Sequence, residues 1–126
     1  MTSKVEYVEF IACMQSVHQW ETSKNPLLST IVGRHIYICI ISEIEQNYPT
    51  KILSKSLKQI FTHPTLTDKA IRLKLRDLEA KGYIKTEVND FDARAKRILV
   101  TDKFVALMNE HKKVVTDSYR NVLLLL

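Results

Sequence analysis

The chain has 126 residues, of which 45% are hydrophobic and 26% charged, which suits one domain with one core and excludes a disordered polymer. Two glycines and three prolines exclude a collagen-like chain and a loop-rich scaffold, and the longest apolar run, residues 36–41, is far short of the roughly 20 residues a membrane span needs. The formal net charge is +5, and it is unevenly placed: residues 51–103 hold 13 Lys and Arg against 7 Asp and Glu, whereas the remainder holds 6 against 7.

Residues 5–21 predict an amphipathic helix. Tyr7, Ile11, Met14 and His18 share one face, Phe10 and Val17 lie beside them, and Glu6, Glu9 and Gln15 lie outside. Residues 22–26 break it, because Pro26 disfavours helix for the residue before it. Residues 29–47 are apolar on most sides. The β-branched run fits a buried strand, but the length, Ser29 as a cap and the polar tail 42–47 favour a buried central helix ended by Pro49. Residues 51–61 then read as a short helix with Leu53, Leu57, Ile60 and Phe61 inward and Lys51, Lys55 and Lys58 outward, followed by a turn at 62–66.

Thr67 or Asp68 caps a helix that continues to Lys81 and stops at Gly82, a residue suited to a left-handed C-terminal cap. Ile71, Leu75 and Leu78 give it a narrow buried stripe. At about 100° per residue, Lys69, Arg72, Leu73 and Arg76 fall on the opposite arc. An outer face so rich in cations is what entry into a DNA major groove requires. After Gly82 the period changes to two, predicting a hairpin of strands 83–88 and 94–100 around a loop at 89–93. Thr101 or Asp102 caps a last helix with Phe104, Leu107, Met108, His111, Val114, Val115, Ser118, Val122 and Leu125 on its apolar stripe.

This order of elements is that of a winged helix-turn-helix, mainly α with a small two-stranded β-wing. The segment Ile71-Arg72-Leu73-Lys74-Leu75-Arg76-Asp77-Leu78-Glu79-Ala80-Lys81-Gly82-Tyr83-Ile84 resembles the recognition-helix-into-wing segment of many winged-helix regulators. Asp92-Ala93-Arg94, followed by Thr101-Asp102-Lys103, resembles the wing signature of the MarR (multiple antibiotic resistance regulator) family. In that family an Asp-x-Arg pair sits near the wing tip and a Leu-Thr dipeptide closes the second strand. Here Val100 stands in place of that leucine and Phe104 in place of a frequent glycine, and the turn containing Pro64 exceeds the usual three or four residues. The resemblance covers nearly the whole chain in architecture and residues 71–103 in motif. It implies a single domain, with dimerisation helices at 1–22 and 103–126 flanking a DNA-binding core at 29–101.

For the recognition helix the candidate contacts are Thr67, Lys69, Ala70, Arg72, Leu73 and Arg76. Its cations would donate to guanine edges or phosphates, while Ala70 or Leu73 meets a thymine methyl; the plain alternative is a solvated helix face. From the resemblance, Arg94 is the wing-tip arginine that enters the minor groove, oriented by Asp92, with Lys96 and Arg97 nearby. Neighbours on a strand point to opposite faces, so at most one of Lys96 and Arg97 joins that surface. Lys51, Lys55 and Lys58 are candidates for phosphate contact alone. Clustered cations gain most from displacing condensed counterions, which makes double-stranded DNA the expected partner, with an ordinary solvated basic surface as the alternative.

Tyr7, Phe10, Ile11 and Met14, with Val115, Val122, Leu123 and Leu125, offer more apolar surface than so small a domain would bury internally. A twofold homodimer, with recognition helices about one helical turn of DNA apart, accounts for it; the competing reading packs these helices onto their own domain. By the resemblance alone, a small-molecule effector would sit near His18, Trp20, His35 and Tyr37, and a regulator without one stays open.

Other chemistries find little support. Cys13 and Cys39 lie in apolar segments, unlike a disulfide framework, and a thiol sensor would need a nearby cation or helix N-terminus. His35 and Cys39 are four residues apart, yet a structural zinc wants four ligands, so neither metal nor cofactor is expected. There is no glycine-rich phosphate loop or nucleophile elbow, and Glu43 and Glu45, two apart on a helix, diverge, so an enzyme is not expected. Acids stand where a signal peptide has its apolar stretch, so the expected location is cytoplasmic. The rival expectation is a winged-helix protein–protein interaction module within a larger complex, since fold does not fix function.

Overall fold

The computed structural model describes residues 4–47, 65–88 and 96–125. Among them the elements run α1 (Lys4–Lys24), α2 (Ile31–Asn47), α3 (Asp68–Ala80), β1 (Ile84–Val88), β2 (Lys96–Val100) and α4 (Asp102–Leu125). The protein is thus mainly helical with a small two-stranded antiparallel sheet. The helix expected at 51–61 and the hairpin loop carrying Asp92 and Arg94 lie outside the described residues. No helix among those described is long and apolar enough to cross a membrane.

α1 packs along α4, and α3 packs between α2 and β1. The core draws Ile36, Tyr37 and Ile40 from α2, Ile71, Leu75 and Leu78 from α3, Ile84, Ile98 and Val100 from the sheet, and Phe104 and Leu107 from α4. Each such side chain contributes about 1.5–3 kcal/mol when fully buried. α1 turns inward the edge of its apolar face and leaves the middle of that face outside. Cys13 and Val17 are buried against α4, whereas Tyr7, Ile11, Met14 and His18, which share the expected apolar face, are exposed. The Cys13 thiol donates to the Ser118 carbonyl, and the Phe10 and Tyr119 rings lie 6.2 Å apart. The helix carries apolar residues on two adjacent faces, and α4 covers only one of them.

The junction between α1 and α2 is built on local hydrogen bonds. Asn25 is buried, and its Oδ1 accepts from the backbone N–H groups of Leu27 and Leu28 at 3.0 and 3.2 Å. Thr30, not Ser29, caps α2: its Oγ1 accepts from the Gly33 N–H at 3.0 Å, while the Ser29 hydroxyl donates to the Pro26 carbonyl. A Cβ at Gly33 would collide with the Leu27 carbonyl, so the turn closes onto the helix only because this residue is glycine.

α3 begins and ends as its residues dictate. Thr67 caps it, accepting from the Ala70 N–H at 3.1 Å, and Gly82 leaves it with φ +83°. The N–H groups of Lys81, Gly82 and Tyr83 return to the carbonyls of Asp77, Glu79 and Leu78. In the sheet, Ile84 pairs with Val100, Thr86 with Ile98 and Val88 with Lys96. The Thr101 hydroxyl lies 2.7 and 2.8 Å from the carbonyls of Gly82 and Tyr83, so the start of α4 is fastened to the end of α3.

Candidate functional site

The residues expected to act together are partly assembled on α3. Lys69, Arg72, Leu73 and Arg76 are all exposed, opposite the buried Ile71, Leu75 and Leu78. Thr67 spends its side chain on the helix cap, and Ala70 is half-buried, so these two stand apart from that face. Lys96 and Arg97 belong to β2, where the register sets them opposite Val88 and Glu87.

The charges of α3 are sorted. On its flank, Lys74 and Lys81 both pair with Asp77, at 3.5 and 3.1 Å. The hydrogen bond from Lys81 holds the Asp77 carboxyl below the usual carboxylate range. On its outer face, Lys69, Arg72 and Arg76 form no ion pair among the described residues. Arg72 spends one donor, Nε, on the Asp68 carbonyl at 3.3 Å. On the flank two lysines thus share one carboxylate, while the face keeps three cations, unpaired among the described residues, beside the exposed Leu73. Such a surface can hold an anionic chain by charge and meet an apolar group at its edge.

Two tether residues escaped the sequence reading. Glu79 reaches β1, where its Oε1 accepts from the Thr86 N–H at 3.2 Å and from the Thr86 hydroxyl at 2.9 Å. Lys103, in the first turn of α4, donates from Nζ to the Lys81 carbonyl at 2.6 Å and lies 4.5 Å from the centre of the Tyr83 ring. Neither contact has a periodic signal, because each joins residues of different elements.

A second cluster lies where α1, α2 and α4 meet. Both nitrogens of His111 are engaged, Nδ1 with the Tyr37 hydroxyl at 3.0 Å and Nε2 with Glu21 at 2.9 Å. The other oxygen of Glu21 lies 3.4 Å from Arg34, and Trp20 stacks on the imidazole with ring centres 5.6 Å apart. Burial, and then the charge of Glu21, push the Tyr37 hydroxyl up to about 12. Of the four residues expected around an effector, Trp20 and Tyr37 thus meet through His111. His18 is exposed, and His35 lies beside Cys39, whose sulfur is 3.8 Å from both of its ring nitrogens.

Burial, and then Glu43, push the Cys39 thiol up, the direction opposite to that of a reactive thiolate. No group of three or more His, Cys, Asp or Glu among the described residues is placed to hold a metal ion. Compared with protein-family models and with curated proteins, the sequence matches none.

Proposed function

We propose that this protein is a winged helix-turn-helix DNA-binding regulator of the MarR-like kind. In this reading α3 is the recognition helix and enters the major groove, and the β1–β2 hairpin is the wing, reaching toward the minor groove with Arg94. The observation that carries the reading is the sorting of charge on α3. Lys74 and Lys81 share the carboxylate of Asp77, while Lys69, Arg72 and Arg76 stand together on the outer face without a carboxylate partner among the described residues. Arginine donors there suit phosphate and guanine, and Leu73, 53% exposed beside them, suits a thymine methyl.

The active unit is a homodimer formed through α1 and α4. Tyr7, Val8, Ile11 and Met14 are each about half exposed on α1, and Leu123 and Leu124 more so at the end of α4. Exposed apolar residues in that number favour a second copy. A small-molecule effector, implied by the resemblance, would act at the seam of α1, α2 and α4.

The test is fluorescence anisotropy of a labelled random-sequence duplex titrated with the protein at several salt concentrations. The expected result is binding that weakens with salt along a log–log slope worth several phosphates, at about 0.9 per phosphate neutralised. Absence of binding even at low salt overturns the reading. It would turn attention to the same face as a protein-docking surface centred on Leu73, the reading of an interaction module.

A further inference from the structure

The hairpin is not joined to α3 by the chain alone. Ile84 and Ile98 are fully buried and anchor its base in the core. Two residues beyond Ile84 on β1, directly across from Ile98, Thr86 is clamped by Glu79 through its backbone N–H and its hydroxyl together. At about 100° per residue, Glu79 lies about 20° around α3 from Arg72 and about 60° from Arg76. A carboxylate at the rim of a face that meets phosphate opposes binding by its charge. What it supplies in that place is a pair of hydrogen bonds across the gap between helix and sheet.

We propose that Glu79 is a positioning residue that fixes the wing against the recognition helix, so that the basic residues of both elements meet one duplex in a single register. The proposal rests on the DNA-binding reading above. A clamped pair of elements presents its phosphate contacts already oriented, whereas a loose hairpin must be ordered on binding and engages fewer of them. Glu79 itself touches no DNA in this scheme; it acts through Thr86.

Glu79→Gln and Glu79→Ala separate charge from geometry. Both remove the negative charge and give the same electrostatic relief, but only glutamine retains a carbonyl oxygen that accepts from Thr86. Duplex affinity is measured by anisotropy across salt, and amide hydrogen exchange at Thr86 is measured in the protein alone. Glu79→Gln is expected to bind at least as tightly as the wild type with an unchanged salt slope. Glu79→Ala is expected to bind several-fold more weakly than Glu79→Gln, with a slope smaller by about one or two and a faster-exchanging Thr86 amide.

Equal affinity and slope in the two variants, or equal protection of the Thr86 amide, overturns the proposal. Thr86→Val removes the hydroxyl donor while keeping shape and charge, and serves if Glu79→Ala does not fold. It is expected to weaken binding relative to the wild type, and an unchanged affinity and slope counts against the clamp. Failure of the DNA-binding reading is seen separately, because there the wild type itself does not bind.

Discussion

The Tyr37 hydroxyl lies 3.0 Å from Nδ1 of His111, joining α2 to α4 by a polar contact in a mostly apolar seam. The carboxylate of Glu21 can only accept, so Nε2 of His111 donates to it, and Nδ1 shares the second hydrogen bond with the Tyr37 hydroxyl. One imidazole therefore ties three helices together, with Trp20 stacked on its face. His111→Phe keeps the stacking and loses both hydrogen bonds, leaving Glu21 and the Tyr37 hydroxyl short of a partner. It is expected to destabilise the fold by about 1–3 kcal/mol. Urea denaturation measures this as a lower midpoint at constant m-value, and an unchanged midpoint would show the network to be energetically idle.

Tyr37 also gives an alkaline signature. Its pKa is raised from 10.0 to about 12, so the folded protein holds this proton more tightly than the unfolded chain does. The corresponding stability is fully present below pH 10.0 and is lost as pH rises through about 12. An absorbance titration of tyrosinate should show one late ionisation that vanishes in Tyr37→Phe. Superimposable curves for the two proteins would place the late group elsewhere.

Arg72→Ala and Arg94→Ala should each weaken duplex binding while leaving the dimer intact. If each arginine neutralises one phosphate, each substitution lowers the salt slope by about 0.9. Anisotropy gives the slope and light scattering the mass. Wild-type affinity in both variants would remove the binding face from α3 and the wing.

On α1, Ile11→Glu places a charge on a residue that is 53% exposed within the single chain, so the fold should tolerate it. A dimer closed over Ile11 should not, because the charge would be buried without a partner. Sedimentation is expected to give a dimer for the wild type and a monomer for the variant. An unaltered dimer mass in Ile11→Glu would move the interface off this face.

Local signals were legible in the sequence, and long-range ones were not. α3 could be read from Thr67, the Ile71–Leu75–Leu78 stripe and Gly82, because caps and periodicity act within a few residues. The sheet followed from the change of period after Gly82. The start of α2 was misplaced because Ser29 and Thr30 are both competent caps, and only the fit of Gly33 beneath the Leu27 carbonyl selects Thr30. α1 shows the limit most clearly. Its apolar residues occupy two neighbouring faces, and periodicity does not say which of them α4 will cover. The outer face of α3 was legible as a charge pattern. Its separation into paired and unpaired lysines and arginines depends on rotamers around Asp77. The tie between Glu21 and His111, 90 residues apart, has no signature in either segment.

Only Thr101 separates the end of β2 from the first residue of α4. α4 has 24 residues, about 36 Å of rod at 1.5 Å per residue. Rooted so directly in the sheet and packed along α1, it would swing only together with α1, and a tilt of about 1° at Thr101 would then carry the far end through about 0.6 Å. Adjustments too small to break any contact at the sheet would thereby be magnified at Leu123 and Leu124. In the other direction, whatever grips those leucines would pull on α1 and α4 as a pair, and through Thr101 on the hairpin and the end of α3.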